Sequence, residues 1–155
     1  MLEFKTPQIE DKAWVDQCFK HLKTMNCDYT FGNMFVWSTE YSTKICRFKD
    51  FFICSWGMGK EKNFGMPVGK GDFKEAVEEV IKYAKANDIM PRFYGVTEAY
   101  VEMLNENFPD AFQFLYDESY GDYIYEVEKM ASLKGKKYHG KRNHINRFLE
   151  TYDWR

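Results

Sequence analysis

The chain has 155 residues, weighs 18.6 kDa and carries a net charge of −2, a size that suits one compact core and leaves little room for two. Hydrophobic residues make up 45% of it and 29 residues are aromatic (14 Phe, 11 Tyr, 4 Trp), so disordered and fibrous classes are excluded. No apolar run approaches the ~18 residues of a membrane-spanning helix, and the amino terminus lacks the basic-then-apolar layout of a signal peptide. The default compartment is therefore the cytoplasm.

Leu2–Lys5 can form a short strand, and Pro7 falls near the start of a helix running to about Leu22. Along that helix Ile9, Trp14, Cys18, Phe19 and Leu22 approximate one apolar stripe. The aromatic-rich stretch Cys27–Trp37 is read as containing a short helix at Phe31–Ser38. Strands at Thr43–Phe48 and Phe51–Trp56 flank the turn-forming pair Lys49-Asp50 and predict a hairpin. A loop with Gly57, Gly59, Gly65, Gly69 and Gly71 leads to Asp72, a helix cap, with Glu75 at the capping-box position. The following helix, to about Asn87, buries Phe73, Val77, Val80, Ile81 and Ala84. A strand at Arg92–Val96, a helix at Thr97–Asn107, strands near Ala111–Tyr116 and Tyr123–Val127, and a helix over Lys137–Thr151 complete the chain. Helices alternating irregularly with short strands predict an α/β (α+β) fold, a mixed sheet of about five to seven strands flanked by helices.

Cys18, Cys27, Cys46 and Cys54 lie 9, 19 and 8 residues apart, a spacing that fits neither a zinc set nor a small disulfide framework. Four free thiols, no metal and no cofactor are expected. The glycine-rich loop invites a phosphate reading, yet it lacks the order GxxxxGK[ST], and GxGxxG is absent. The arginine-led RxxGxG or RxxGxA loop that grips the pyrophosphate of acetyl-CoA is missing as well. A flexible loop ending in a capped helix accounts for it. The carboxylate pairs Asp117 with Glu118 and Glu126 with Glu128 carry no sequence sign of burial, and no GxSxG elbow is present.

Charge distribution says more than net charge. Residues 1–128 hold 14 Lys+Arg against 22 Asp+Glu, whereas residues 129–148 hold seven basic residues and no acidic one. These are Lys129, Lys134, Lys136, Lys137, Lys141, Arg142 and Arg147, with His139 and His144 among them. At 3.6 residues per turn Tyr138, Ile145, Phe148 and Leu149 face the core, Lys137, Lys141 and His144 share another side, and Asn143 with Arg147 a third. Basic side chains in the first turns oppose the helix dipole. The block is either a solvated helix face or an anion-binding surface.

The stretches Asp122–Glu128 (DYIYEVE) and Leu133–Phe148 (LKGKKYHGKRNHINRF), with Cys27–Trp37 (CDYTFGNMFVW) and the Met66–Asp72 loop (MPVGKGD), resemble bacterial proteins carrying the phosphatidylglycerol lysyltransferase C-terminal domain. The resemblance implies tandem GNAT-type acyltransferase folds. In characterised relatives an aminoacyl group passes from a transfer RNA to a lipid headgroup or, in the related Fem-type enzymes, to a peptidoglycan amine. For residues 1–155 it implies a single GNAT-like domain, the amino-terminal half of a two-domain enzyme, so that much of the expected active site would belong to a second half beyond Arg155.

The resulting expectation is a GNAT-like half of an acyl- or aminoacyltransferase. In it Lys136, Lys137, Lys141, Arg142 and Arg147 offer charge to an anionic donor or acceptor, Asn143 and Asn146 supply oriented hydrogen bonds, and Tyr123 and Tyr125 line the cleft. No general base is assigned, because positioning the amine and polarising the carbonyl can supply much of the rate. The partners in view are an aminoacyl-transfer RNA, an anionic lipid headgroup at the membrane surface, and a second GNAT domain or another copy of the chain on an exposed apolar face. The alternative is a non-catalytic module that binds an anion or docks a partner.

Overall fold

The computed structural model describes residues 1–20, 22, 24–118, 121 and 123–153. His21 of the expected first helix, Asp122 of the 122–128 segment, and Trp154 and Arg155 lie outside the described residues. The chain divides into two compact units, Met1–Tyr116 and Asp117–Arg155.

The amino-terminal unit is a mixed sheet with helices on both faces. Its elements are α1 (Lys12–Phe19), α2 (Phe31–Trp37), β1 (Lys44–Phe48), β2 (Phe51–Trp56), β3 (Asn63–Gly65), β4 (Val68–Gly69), α3 (Phe73–Ala86), β5 (Phe93–Tyr94) and α4 (Glu98–Asn107). β1 and β2 form the expected antiparallel hairpin, Phe48 opposite Phe51, with Lys49 at φ 52° in the turn. The expected amino-terminal strand is reduced to one bridge, Lys5 to Ile45, closed by N–H···O bonds of 2.9 and 2.8 Å.

β2 also pairs antiparallel with β3 (Ser55 opposite Phe64) and with β4 (Phe52 opposite Val68). Between these pairs three residues, 65–67, stand against two, 53–54. The β3–β4 segment therefore carries one surplus residue, a bulge, at Pro67, which has no N–H to give to a ladder. α3 then crosses over to bring β5 parallel to β3, Phe64 beside Phe93.

Period two along β2 sends Phe52 to one face and Ile53 to the other. Phe52 packs with Val15, Cys18, Phe31, Ile45 and Val68 beneath α1 and α2. Ile53 packs with Leu2, Cys46, Phe64, Val80, Ala84 and Ile89 beneath α3. A third cluster, Met66, Phe73, Val77 and Leu104, joins α3 to α4.

Several boundaries and faces differ from the sequence reading. The first helix is a 3-10 turn, Ile9–Asp11, followed by α1, which ends at Phe19. Ile9 is 58% exposed and Val15 takes its place in the core. The turn is fixed instead by Asp11, whose buried carboxylate accepts from Lys5 Nζ (2.6 Å), Trp14 Nε1 (2.9 Å) and Gln8 N–H (2.9 Å). Burial works against that charge, but these hydrogen bonds outweigh it and hold the Asp11 pKa below the usual range.

The fifth strand is Phe93–Tyr94 rather than Arg92–Val96, because Gly95 turns to φ 66°. Neither Ala111–Tyr116 nor Tyr123–Val127 forms a strand. Phe112 is held by rings of Phe93 and Phe108, while Leu115 and Tyr116 are exposed. Aromatic and β-branched residues favour a strand only where they pair with a partner edge, and neither segment is paired with one.

The glycine loop is explained by packing. A Cβ on Gly69 would stand 2.0 Å from the Asp50 carbonyl oxygen, and one on Gly71 3.1 Å from the Phe51 ring. Asp72 caps α3, accepting from the Glu75 N–H at 2.9 Å, and the Glu75 carboxylate turns to Lys49 in an ion pair.

All four cysteines are free; Cys27 is exposed, Cys18 and Cys46 are buried and Cys54 is half-buried. Burial pushes the Cys54 thiol up to about 12 and raises Cys18 and Cys46 as well. Thiol titration should show Cys27 reacting first and four thiols after unfolding. An unfolded thiol ionises near 8.5, so above that pH the unfolded state holds fewer protons and stability should fall as pH rises towards the folded values. Urea denaturation across that range checks the sign. In the same assay Gly69→Ala should cost about 2–4 kcal/mol through its clash with Asp50, and Asp72→Ala about 1 kcal/mol through removal of the cap.

Candidate functional site

The carboxy-terminal unit contains α5 (Val127–Ser132), a 3-10 turn at Lys136–Tyr138 and α6 (His139–Thr151). Among its described residues only Leu133 and Tyr138 are buried. α5 ends at Leu133 in the left-handed region (φ 46°) and the chain reverses at Gly135 (φ 94°). A bulky residue there is unfavourable by about 1–2 kcal/mol.

Arg142 offsets that cost. Its Nη1 donates to the Leu133 carbonyl and, at 2.8 Å, to the Gly135 carbonyl. The half-buried guanidinium thus ties the first turns of α6 to the reversal before it. The sequence reading gave Arg142 to an external anion; the structure commits one end of it to main-chain oxygens.

The other expected site residues that lie on α6 divide between two of its sides. Lys141, Ile145, Phe148 and Tyr152 recur at three- and four-residue spacing and share one side, with Leu149 beside them. Asn143, Asn146 and Arg147 lie about 120–160° round from Lys141 at roughly 100° per residue, together with Glu150. The helix therefore separates Lys141 from the two asparagines and Arg147. Lys141 Nζ lies 5.2 Å from the Tyr125 ring centroid, bringing two expected residues together in a cation–π pair, whereas Tyr123 is exposed. Lys137 Nζ lies 5.9 Å from the ring of its neighbour Tyr138, and Lys136 is exposed on the 3-10 turn. On the polar side Asn143 Nδ2 and His139 Nε2 are 3.2 Å apart.

Of the seven basic residues in 129–148, only Lys129 meets a carboxylate among the described residues, Glu126 at 2.6 Å. The other six meet no carboxylate among the described residues, and α6 has no side-chain cap at Tyr138, the residue before its first turn. Positive side chains around the positive end of a helix raise its electrostatic energy, which an external anion would relieve.

Three residues expected in the core are exposed instead: Ile145 47%, Phe148 45% and Leu149 52%, while Tyr138 is buried as expected. The periodicity grouped these apolar residues correctly, but Lys141, set on another side in the sequence reading, lies along them at i, i+4 from Ile145, and the group is exposed rather than buried. In the amino-terminal unit, the buried Ser55 Oγ and Asn63 Oδ1 lack hydrogen-bond partners among the described residues. Ser55 stands opposite Phe64 and Asn63 opposite Trp56, so the two point to different faces of the sheet and do not form one site.

The chain comprises a mixed α/β sheet unit and a helical unit whose basic segment meets one carboxylate, Glu126, among the described residues. The sequence family described as phosphatidylglycerol lysyltransferase, C-terminal, matches residues 19–155, and the chain belongs to that family. No curated protein matches it. A solved structure of a conserved protein of unknown function from Bacteroides thetaiotaomicron is 35% identical, with a TM-score of 0.80 over 98% of this chain and 51% of that one. The chain thus spans about half the length of that relative.

Replacing Arg142 by Ala should remove two charge-assisted hydrogen bonds to carbonyls and destabilise the 133–142 reversal by about 1.5–3 kcal/mol for each strong bond removed. Asn143→Ala, on the exposed side, should change stability by less than about 0.5 kcal/mol. Limited proteolysis within 133–142 separates the two variants.

Proposed function

We propose that the chain is a GNAT-like half of an acyl- or aminoacyltransferase whose donor or acceptor is anionic, an aminoacyl-transfer RNA on one side and a lipid headgroup or amine on the other. The observation that carries this is the conjunction of family membership with a basic segment in which Lys134, Lys136, Lys137, Lys141, Arg142 and Arg147 meet no carboxylate among the described residues. The antiparallel run β1–β2–β3, followed by the α3 crossover to a parallel β5, supports the GNAT-like assignment. A relative about twice as long supports a two-part enzyme.

In this reading Lys136, Lys137 and Lys141 draw the anion in by charge, which is salt-sensitive and largely indifferent to sequence. Asn143, Asn146 and Arg147, together on the polar side of α6, offer directed donors that orient it. The chain's contribution is positioning rather than proton transfer at a single indispensable group.

Aminoacyl transfer measured for the chain alone, and for a form extended to the length of the Bacteroides relative, tests the assignment. The extended form should turn over and the 155-residue chain show little or no activity. Transfer-RNA binding should weaken steeply with salt, and the variant Lys136→Ala/Lys137→Ala should flatten the log–log slope by about one unit for each phosphate no longer neutralised. Absence of both transfer and binding above a charge-matched control would leave the partner-docking module in its place.

A further inference from the structure

We propose that the carboxylate face of α4 is a docking surface for the basic segment of a second copy of the chain. This goes beyond the enzymatic reading and draws only on the charges of two helices.

From Phe93 to Glu128 the chain holds nine Asp and Glu and no Lys or Arg. Three of these acids, Glu98, Glu102 and Glu106, recur every four residues along α4 and so fall on one side of it. All three are exposed. None meets a cation among the described residues. The other side of α4 sends Leu104, with Tyr100 and Met103, into the core, so packing keeps the carboxylates turned to solvent.

Like charges four apart repel, and Glu106 stands at the end of α4 where the helix dipole is already negative. The start of α6 has the reverse fault. Lys137 and Lys141, also four apart, crowd its positive end, with no acid in its first turn. The rings of Tyr138 and Tyr125 beside these lysines leave their charge in place. Each helix is thus arranged against its own field, in opposite senses. Laid antiparallel, α4 of one copy and α6 of another set Glu106 against Lys137 and Glu102 against Lys141, and their dipoles oppose as well.

The sign of the face excludes nucleic acid and anionic lipid as its occupant. Among the described residues no group of three His, Cys, Asp or Glu could hold a metal ion. A small polycation would satisfy the acids but leave the lysines of α6 unrelieved, whereas a second copy supplies both charges at matching spacing. Exposed ion pairs contribute little one at a time, so the contact is weak, reversible and screened by salt. A second copy and a polyanion then compete for the same lysines.

Sedimentation velocity of the full chain over a range of concentrations is the test. At about 50 mM salt the mean mass should rise with concentration, and at about 500 mM it should stay that of a monomer. Glu102→Lys/Glu106→Lys should weaken association at least about tenfold. Lys137→Glu/Lys141→Glu should do the same, with circular dichroism showing both variants folded. An equimolar mixture of the two variants restores opposite signs across the contact and should associate about as tightly as the original chain.

A chain that stays monomeric at low salt overturns the proposal. So does association that survives high salt or the Glu102/Glu106 variant, which would assign it to the apolar residues of α6. A mixture that remains dissociated while both variants are folded overturns it too. RNA and acyl transfer take no part in the assay, so this inference and the enzymatic reading fail separately.

Discussion

The strand Phe51–Trp56 is paired on both edges and buried on both faces, and the amino-terminal unit is arranged around that constraint. Phe52 needs the α1–α2 layer above it and Ile53 needs α3 below. A strand with no solvent side cannot slip by one residue without exchanging the two sets of packing partners. The hairpin turn, the Lys5 bridge and the close approach of Gly69 to Asp50 fix its register from three directions. The parallel partner β5 and the α3–α4 cluster are built outward from it.

The parts readable in the sequence are those whose causes are local. Lys49-Asp50 between two β-rich runs marks the hairpin, and Asp72 before an amphipathic run marks α3, both within a residue of the observed bounds. The misreadings depend on partners distant in sequence. Ala111–Tyr116 and Tyr123–Val127 have strand composition, but pairing is a property of two segments. Ile9 yielded to Val15 because the Asp11 hydrogen-bond cluster, invisible to periodicity, sets the angle at which the helix enters.

The candidate site was legible as composition and not as geometry. The change of charge sign at residue 129 is plain in the sequence, as is the apolar side of α6. That Arg142 serves main-chain carbonyls was not, because main-chain acceptors exist at every residue and leave no mark on the sequence. Nor could spacing tell whether Ile145 and Leu149 face a core or lie exposed. One helix therefore presents two chemistries: directed donors from Asn143, Asn146 and Arg147 on one side, and aliphatic surface edged by lysine on the other.

The surplus residue at 65–67 has a dynamic consequence. A ladder interrupted at Pro67 is not one cooperative element: the end where β2 pairs with β4 packs under α1 and α2, while the end where β2 pairs with β3, and β3 in turn with β5, packs under α3. Amide protons on the two sides of the interruption are thereby free to exchange through separate openings rather than one. Exchange of the β3 and β5 amides is therefore expected to be separable from exchange of the hairpin amides, although all of them belong to one hydrogen-bonded layer.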